Sequence, residues 1–419
     1  MSSAMTFCEK VFARTAGERH VVPGDFLWVK PDLVLMYDYP GISDVHARIL
    51  RDELNVNVRY PDRCKMFIDH FVPPSSVKEA DFHNETRKWT NGQGIELIEN
   101  KGIGHQVAAE MGLAKPGSLI VHGDLHVHVL GALGALTISL QDDLVSAYAL
   151  GEFWFEVPKT IRVNLTGEFP PGTGGRDLIN KILRDLGPDG ALGAVLEFAG
   201  NGAENMNMDE RMSLLSEVVF CGAYTGVFPS DEISLKYLRE RAGTDLEPVL
   251  PDPGAKYAGA MAYNLPELEP YVVSPSGLCD AKPIGEVAGI SVQQGYIGSC
   301  ANGRCSDLEI AARILKGRKI KEGFRLFVVP SSKEIMSEAI ENQTLSVLAE
   351  AGAFISSPSC DYCYGKTQCL SAGETAISTG TLNVPGRMGS AEAEIYLGSA
   401  AVVAASAIGG EIRDPRDFL

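Results

Sequence analysis

Three cysteines carry the spacing best suited to chemistry: Cys300 alone, and Cys360 with Cys363 as a C-x-x-C pair. Cys300 lies in Gly298-Ser299-Cys300-Ala301-Asn302-Gly303-Arg304, and the pair in Ser357-Pro358-Ser359-Cys360-Asp361-Tyr362-Cys363-Tyr364-Gly365. Three thiolates can hold three irons of a [4Fe-4S] cube and leave the fourth iron without a protein ligand. Such an iron can bind and polarise a substrate oxygen, as a Lewis acid rather than only an electron carrier. The same residues have plainer readings. A C-x-x-C is also a redox pair or half a zinc site, and a structural zinc site wants four ligands, commonly as two close pairs. The second pair is missing here, with Cys369 a further candidate ligand. Gly298, Gly303, Pro358 and Gly365 allow a tight backbone whose amides can approach cluster sulfurs, which favours the cluster. Cys305 falls in the following helix and reads as packed.

A second set pairs histidine with carboxylate. Asp69-His70 ends a strand and opens the loop Phe71-Val72-Pro73-Pro74. A histidine at a strand's carboxyl end stands where α/β folds place their sites, and an adjacent carboxylate orients its ring and raises its pKa, as suits a general acid. His105 lies in Gly104-His105-Gln106, and His126 in Gly123-Asp124-Leu125-His126, directly after another strand. Singly, each reads as a structural or surface histidine; three beside strand ends, two with a nearby aspartate, point to a shared site. Arg387, between Gly386 and Met388-Gly389, is a natural fork for a carboxylate, or otherwise a solvated turn residue.

These residues need a scaffold that gathers strand ends. Phe26–Val29, Leu33–Met36, Cys64–Ile68 and Ser118–Val121 read as strands, with helices over 75–91 and 142–153. Strands alternating with helices indicate an α/β architecture with a largely parallel sheet. A break at 154–158 and a new strand from Thr160 suggest a first domain over 1–158. A second runs over 159–283 and a third over 284–419, ending in a small-residue helix over 400–408. The turn Gly172-Thr173-Gly174-Gly175 lacks both the P-loop ending and the dinucleotide spacing, and reads as a plain turn.

With 419 residues there is room for two or three cored domains. The net charge of −17 speaks against nonspecific nucleic-acid binding. No apolar run approaches the ~20 residues that span a bilayer, and Met1–Met5 lacks the features of a signal peptide. Nine cysteines, an odd count, do not suggest a disulfide framework. A cytoplasmic location is expected.

On these motifs the chain resembles the aconitase superfamily, in the branch of the 3-isopropylmalate dehydratase and homoaconitase large subunits. Asp69-His70-Phe71-Val72-Pro73, Gly104-His105-Gln106, the Cys300 and Cys360–Cys363 segments and Gly386-Arg387-Met388-Gly389-Ser390 carry the likeness, which covers almost the whole chain. The resemblance implies three α/β/α domains of the aconitase type around a central cleft. In it a [4Fe-4S] cluster is held by Cys300, Cys360 and Cys363. It implies removal or addition of water on a hydroxy di- or tricarboxylate. His70, oriented by Asp69, would protonate the leaving hydroxyl; His105 and His126, with Asp124, would hydrogen-bond to water or substrate; Arg387 would grip a carboxylate. It also implies that the base, a serine, sits on a swivel domain absent here, so that a separate small subunit supplies it.

The chain departs from the family pattern. Asp-Ser-His-Thr becomes Asp124-Leu125-His126-Val127, and a family Asn and Glu become Ser216 and Phe220. An Asn-Arg-Asn-Phe run becomes Thr381-Leu382-Asn383-Val384. Ser216 and Thr381 then stand as substrate-facing candidates in place of larger polar groups. Two readings follow: an enzyme of altered substrate specificity, or a noncatalytic, degenerate or iron-sensing cluster protein. The joint retention of the cysteines, His70, His105, His126 and Arg387 favours the enzyme.

Overall fold

Short apolar runs separated by stretches long enough to cross over build parallel sheets. The structure, a computed structural model, describes residues 4–39, 43–243, 246–275 and 277–419; Met1–Ser3, part of the segment read for a leader, lie outside them. The first sheet has five parallel strands in the order Glu96–Glu99, Cys64–Ile68, Leu33–Tyr37, Leu119–His122, Leu136–Ser139. Its central strand Leu33–Tyr37 is buried at every position, as a parallel strand covered on both faces must be. The crossover helix Val77–Gln93 starts where the Ser76 side chain accepts from Glu79 N–H and stops at Gly94 in the left-handed region (φ 72°).

The second sheet has four parallel strands, ordered Thr225–Val227, Ala194–Ala199, Lys159–Thr166, Gly259–Asn264. The third has seven, ordered Ala281–Pro283, Tyr271–Val273, Glu394–Leu397, Thr375–Ser378, Gln294–Ile297, Arg325–Val328, Phe354–Ile355. An apolar core runs without interruption from Leu35 through Leu130 and Leu196 to Val329, so the three sheets share one interior. Among the described residues no helix is long and apolar enough to cross a membrane.

Two expectations need correction. The boundary at 283 falls behind the strands Tyr271–Val273 and Ala281–Pro283, which pair antiparallel with each other and join the third sheet through Leu397. Hydrogen bonding of that hairpin, not apolar pattern, decides its sheet. The helix expected over 142–153 is only Leu144–Leu150, ended by Gly151 (φ 74°), and Phe153–Glu156 beyond it is a strand. That strand pairs antiparallel with Phe26–Val29, which therefore forms a two-stranded ribbon outside the first sheet.

What positions the site is a seam between the sheets. The helix Gly104–Glu110 leaves the first sheet and docks on the third. Ile103 N–H donates to Ser331 O (2.8 Å), Lys333 N–H to Lys101 O (2.8 Å), and Ser332 Oγ to Glu110 Oε1 (2.6 Å). From the second unit, the fully buried Arg176 pairs with Glu217 (2.9 Å) and donates to Thr379 O, Gly380 O and Asn302 Oδ1 of the third (3.2, 3.0 and 3.3 Å). Arg176→Ala is expected to destabilise the chain by about 3–5 kcal/mol in urea unfolding, because it leaves the buried Glu217 carboxyl and the Thr379 and Gly380 carbonyls without their partner. Burial raises the Glu110 carboxyl from 4.5 to about 7 against the hydrogen bonds from Ser332 and Gln106. The stability carried by that proton is full below pH 4.5 and is lost as pH rises through about 7. Glu110→Gln should therefore flatten the fall in unfolding midpoint between pH 5 and pH 8 and leave the variant the more stable at pH 8; an unchanged slope refutes the assignment.

Candidate active site

The carboxyl ends of six strands converge on one cavity. Asp38 follows Tyr37, Asp69-His70 follow Ile68, and Asp124 closely follows His122. Cys300 follows the strand to Ile297, Thr381 the strand to Ser378, and Cys360 the edge strand Phe354–Ile355. This is where open α/β sheets bind ligands. The cavity measures about 250 Å³ and is walled by Cys300, Cys360, Cys363, His70, His105, Asp124, His126, Thr381 and Arg387, with Tyr37, Leu125 and Tyr148 among the remainder.

Asp69 ties three of these segments together. Its Oδ1 lies 2.8 Å from His70 Nδ1, its Oδ2 accepts from Gly104 N–H (2.7 Å), and its carbonyl accepts from Cys360 N–H (3.2 Å). Gly104 is required here, since a Cβ would stand 2.5 Å from the Tyr37 ring and 2.8 Å from Phe67. Asp361 holds the loop after His70, accepting from Phe71 and Val72 N–H (2.8 and 2.9 Å).

Sequence reading missed Asp38. It is fully buried, accepts from the N–H groups of Asp69 and His70 (3.1 Å each), and meets His70 Nδ1 and His83 Nε2 at 3.2 Å. Burial works to raise its pKa, but the hydrogen bonds from both histidines outweigh it and hold Asp38 ionised. Burial opposes a charge on His70, yet Cys360, Asp69 and Asp38 together keep the imidazole protonated well above its usual range. With Nδ1 committed to two carboxylates, Nε2 is the edge left for the cavity, where the Cys360 thiol is a hydrogen-bond partner of the ring. The signal available in sequence was an aspartate one residue past a buried strand, as at Asp69.

The second histidine group is of the opposite kind. His105 Nε2 meets Asp124 Oδ1 at 3.2 Å, and His126 N–H donates to the same oxygen (2.7 Å). Burial lowers the His126 pKa, despite Asp124, so its ring is neutral. His126 Nδ1 bonds Ser216 O (3.1 Å), and the ring stands edge-on to Phe220 at 6.0 Å. Ser216 was expected to face substrate with its side chain. The hydroxyl instead turns back to Ser213 O (2.7 Å), as a serine at the end of a helix does, and only the carbonyl reaches the site. Arg387 is not a solvated turn residue. Its Nη2 lies 3.7 Å from Cys363 Sγ, its guanidinium 5.7 Å from the Tyr364 ring centre, and its buried Nε has no protein partner among the described residues. Thr381 Oγ1 stands 3.8 Å from Cys363 Sγ.

The Cys300 loop is held by Arg304, fully buried, which donates to Cys300 O and Ala301 O (2.5 and 2.8 Å) and to Gln106 Oε1 (2.9 Å). Ser299 sits at φ 71°, a cost accepted to turn Cys300 into the cavity. A Cβ on Gly365 would stand 2.4 Å from the Met388 backbone, so this glycine lets the cysteine pair lie against the Arg387 loop. Cys369 is exposed and bonds Gly365 O (2.7 Å), which removes it as a fourth ligand.

The three thiols fit an inorganic cluster better than one ion. Zinc–sulfur bonds of about 2.3 Å keep ligand sulfurs within about 4.6 Å of each other. Among the described residues the trio of ligand groups whose atoms all lie within 4.8 Å is Asp38, Asp69 and His70, not the cysteines. Burial first, then Cys363 and Cys360, raise the Cys300 pKa, so this thiol keeps its proton until a cationic centre displaces it.

Strand ends from two α/β sheets meet over clustered thiols, histidine–aspartate pairs and one arginine, residue types that could hold a metal centre and move protons beside it. The aconitase family (aconitate hydratase) matches residues 9–288 and 277–410, and the chain belongs to it. It is 39% identical over 419 residues to 3-isopropylmalate dehydratase large subunit 1 of Methanopyrus kandleri, over 99% of each chain. It is 40% identical over 419 residues to large subunit 2 of that name in Archaeoglobus fulgidus, again over 99% of each. To the large subunit from Halothermothrix orenii it is 37% identical over 424 residues, 99% of this chain and 100% of the relative.

Asp38→Asn is expected to lower the His70 pKa, read by carbon-13 histidine titration of the metal-free chain, with His83 shifting in the same direction. Two unmoved titrations would show that Asp38 only braces the backbone.

Proposed function

We propose that this chain is the large subunit of a [4Fe-4S]-dependent hydro-lyase acting on a hydroxy dicarboxylate of the 3-isopropylmalate type. Membership of the aconitase family and the names of its relatives support the class. The observation that carries the reading is that Cys300, Cys360, Cys363, His70 and Arg387 wall one cavity of about 250 Å³.

Held by the three cysteines, the cluster would supply a Lewis-acidic iron with an open position for the substrate's hydroxyl oxygen. The chain's own residues do the rest. Arg387 presents its unpartnered Nε–H to a substrate carboxylate. His70 carries a proton on Nε2, with Asp69 and Asp38 fixing the ring, and hands it to the departing hydroxyl. Neutral His126, anchored through Nδ1 to Ser216 O, offers Nε2 as an acceptor for the released water. His105 and Asp124 hold that histidine's loop. The base belongs to a separate small subunit, in keeping with relatives named large subunits. Leu125, half-exposed in the wall where the family carries serine, favours a substrate with an apolar or smaller substituent.

The test is anaerobic reconstitution with iron and sulfide. About four of each per chain are expected, falling sharply in Cys360→Ser, and with the small subunit added the protein should turn over at least one of a panel of 3-substituted malates. Zinc without sulfide, or an intact cluster with no turnover of any malate, overturns the proposal.

A further inference from the structure

Tyr37 is a wall residue that the reaction above leaves idle. It ends the strand Leu33–Tyr37, lines the cavity and is 5% exposed. Its ring is pinned: stacked on Phe67 at 5.5 Å and 17°, edge-on to His105 at 4.6 Å and 67°, and 2.5 Å from where a Gly104 Cβ would lie. The hydroxyl therefore has one place to be, and there it has no hydrogen-bond partner among the described residues.

An unpaired buried hydroxyl costs stability, and the two nearby carboxylates already serve other donors. Asp124 Oδ1 is taken by His105 and His126, and Asp69 by His70 and Gly104. Burial, with Asp124, Asp69 and Cys300 behind it, raises the phenol's pKa, so the group is a donor and never a phenolate. The same wall holds two other orphaned atoms, His105 Nδ1 and Arg387 Nε. Three unpartnered polar atoms around one cavity are what a ligand rich in oxygen would satisfy. Phenylalanine would serve the packing equally well, so the hydroxyl answers to the ligand.

We propose that the Tyr37 hydroxyl donates a hydrogen bond to an oxygen of the bound hydroxy acid and is a specificity-determining contact of this site. The inference rests on the hydroxy-acid reading above and deepens it. A site built around an oxygen acceptor rejects analogues that lack it far more strongly than a pocket measures a methylene.

The experiment compares Tyr37→Phe with the wild type as full chains, reconstituted and paired with the small subunit. Malate, 3-methylmalate and 3-isopropylmalate serve as probes, and turnover, thermal shift and electron paramagnetic resonance as readouts. Expected are a loss of about ten- to a hundredfold in kcat/KM, the range of one hydrogen bond to a charged group, and a smaller thermal shift by the same acid. The melting temperature of the acid-free chain should be equal or higher, and its cluster spectrum unchanged. Activity and thermal shift within twofold of wild type overturn the inference alone. So does a lower melting temperature without acid, which makes the hydroxyl structural, or an altered spectrum without acid, which makes it a donor to the cluster. If no malate shifts or is turned over by the wild type, this inference and the functional reading fall together.

Discussion

The interaction on which the site depends is the triple attachment of Asp69. One carboxylate oxygen fixes the His70 ring, the other fixes the Gly104 amide, and the carbonyl receives the Cys360 amide. The residue thus joins the acid, the helix that carries His105, and the cysteine pair of another sheet. Buried charge-assisted hydrogen bonds are strong and directional, so the three segments are held in one geometry. Asp38 extends the arrangement inward to His83, and Asp361 closes it from the cysteine side.

Electrostatics divides the site into two halves. Around His70 the neighbouring Cys360 and the carboxylates Asp69 and Asp38 outweigh desolvation, and the imidazole keeps its proton. Around His126 desolvation wins, and the ring is neutral. Pairs of like groups pushed in opposite directions are a mark of acid and acceptor roles within one cavity. The buried arginines Arg176 and Arg304 also set the shape of the cavity's turns. Each donates to a pair of main-chain carbonyls, Arg176 to the Thr379–Gly380 turn and Arg304 to the Cys300–Ala301 turn.

The α/β class, the largely parallel pairing and many residues of the cavity wall were legible in the sequence. Strand runs such as Leu33–Tyr37 are apolar at every position, and Asp69-His70, Cys300 and the Cys360–Cys363 pair stand in recognisable turns. What escaped was set by hydrogen bonds between distant segments. Nothing near Tyr271–Val273 records that it pairs with Leu397 rather than with the second sheet. Asp38 has no spacing motif, since its partners lie on two other segments. Ser216 was misjudged because sequence names a side chain, whereas the site uses its carbonyl. Gly151 gave a visible stop signal inside the helix expected over 142–153, and its left-handed backbone is where that helix ends.

The carbonyl at position 216 has a bearing on how such a protein changes over generations. Any amino acid placed there presents the same main-chain oxygen, so His126 keeps its anchor whatever the codon encodes. Where an ancestor held a substrate with a side chain at that point, a descendant can shed the side chain, explore new substrates, and still inherit an oriented imidazole. Anchoring through the polymer backbone makes one corner of the pocket heritable without being fixed, which lets a family diversify its chemistry one wall at a time.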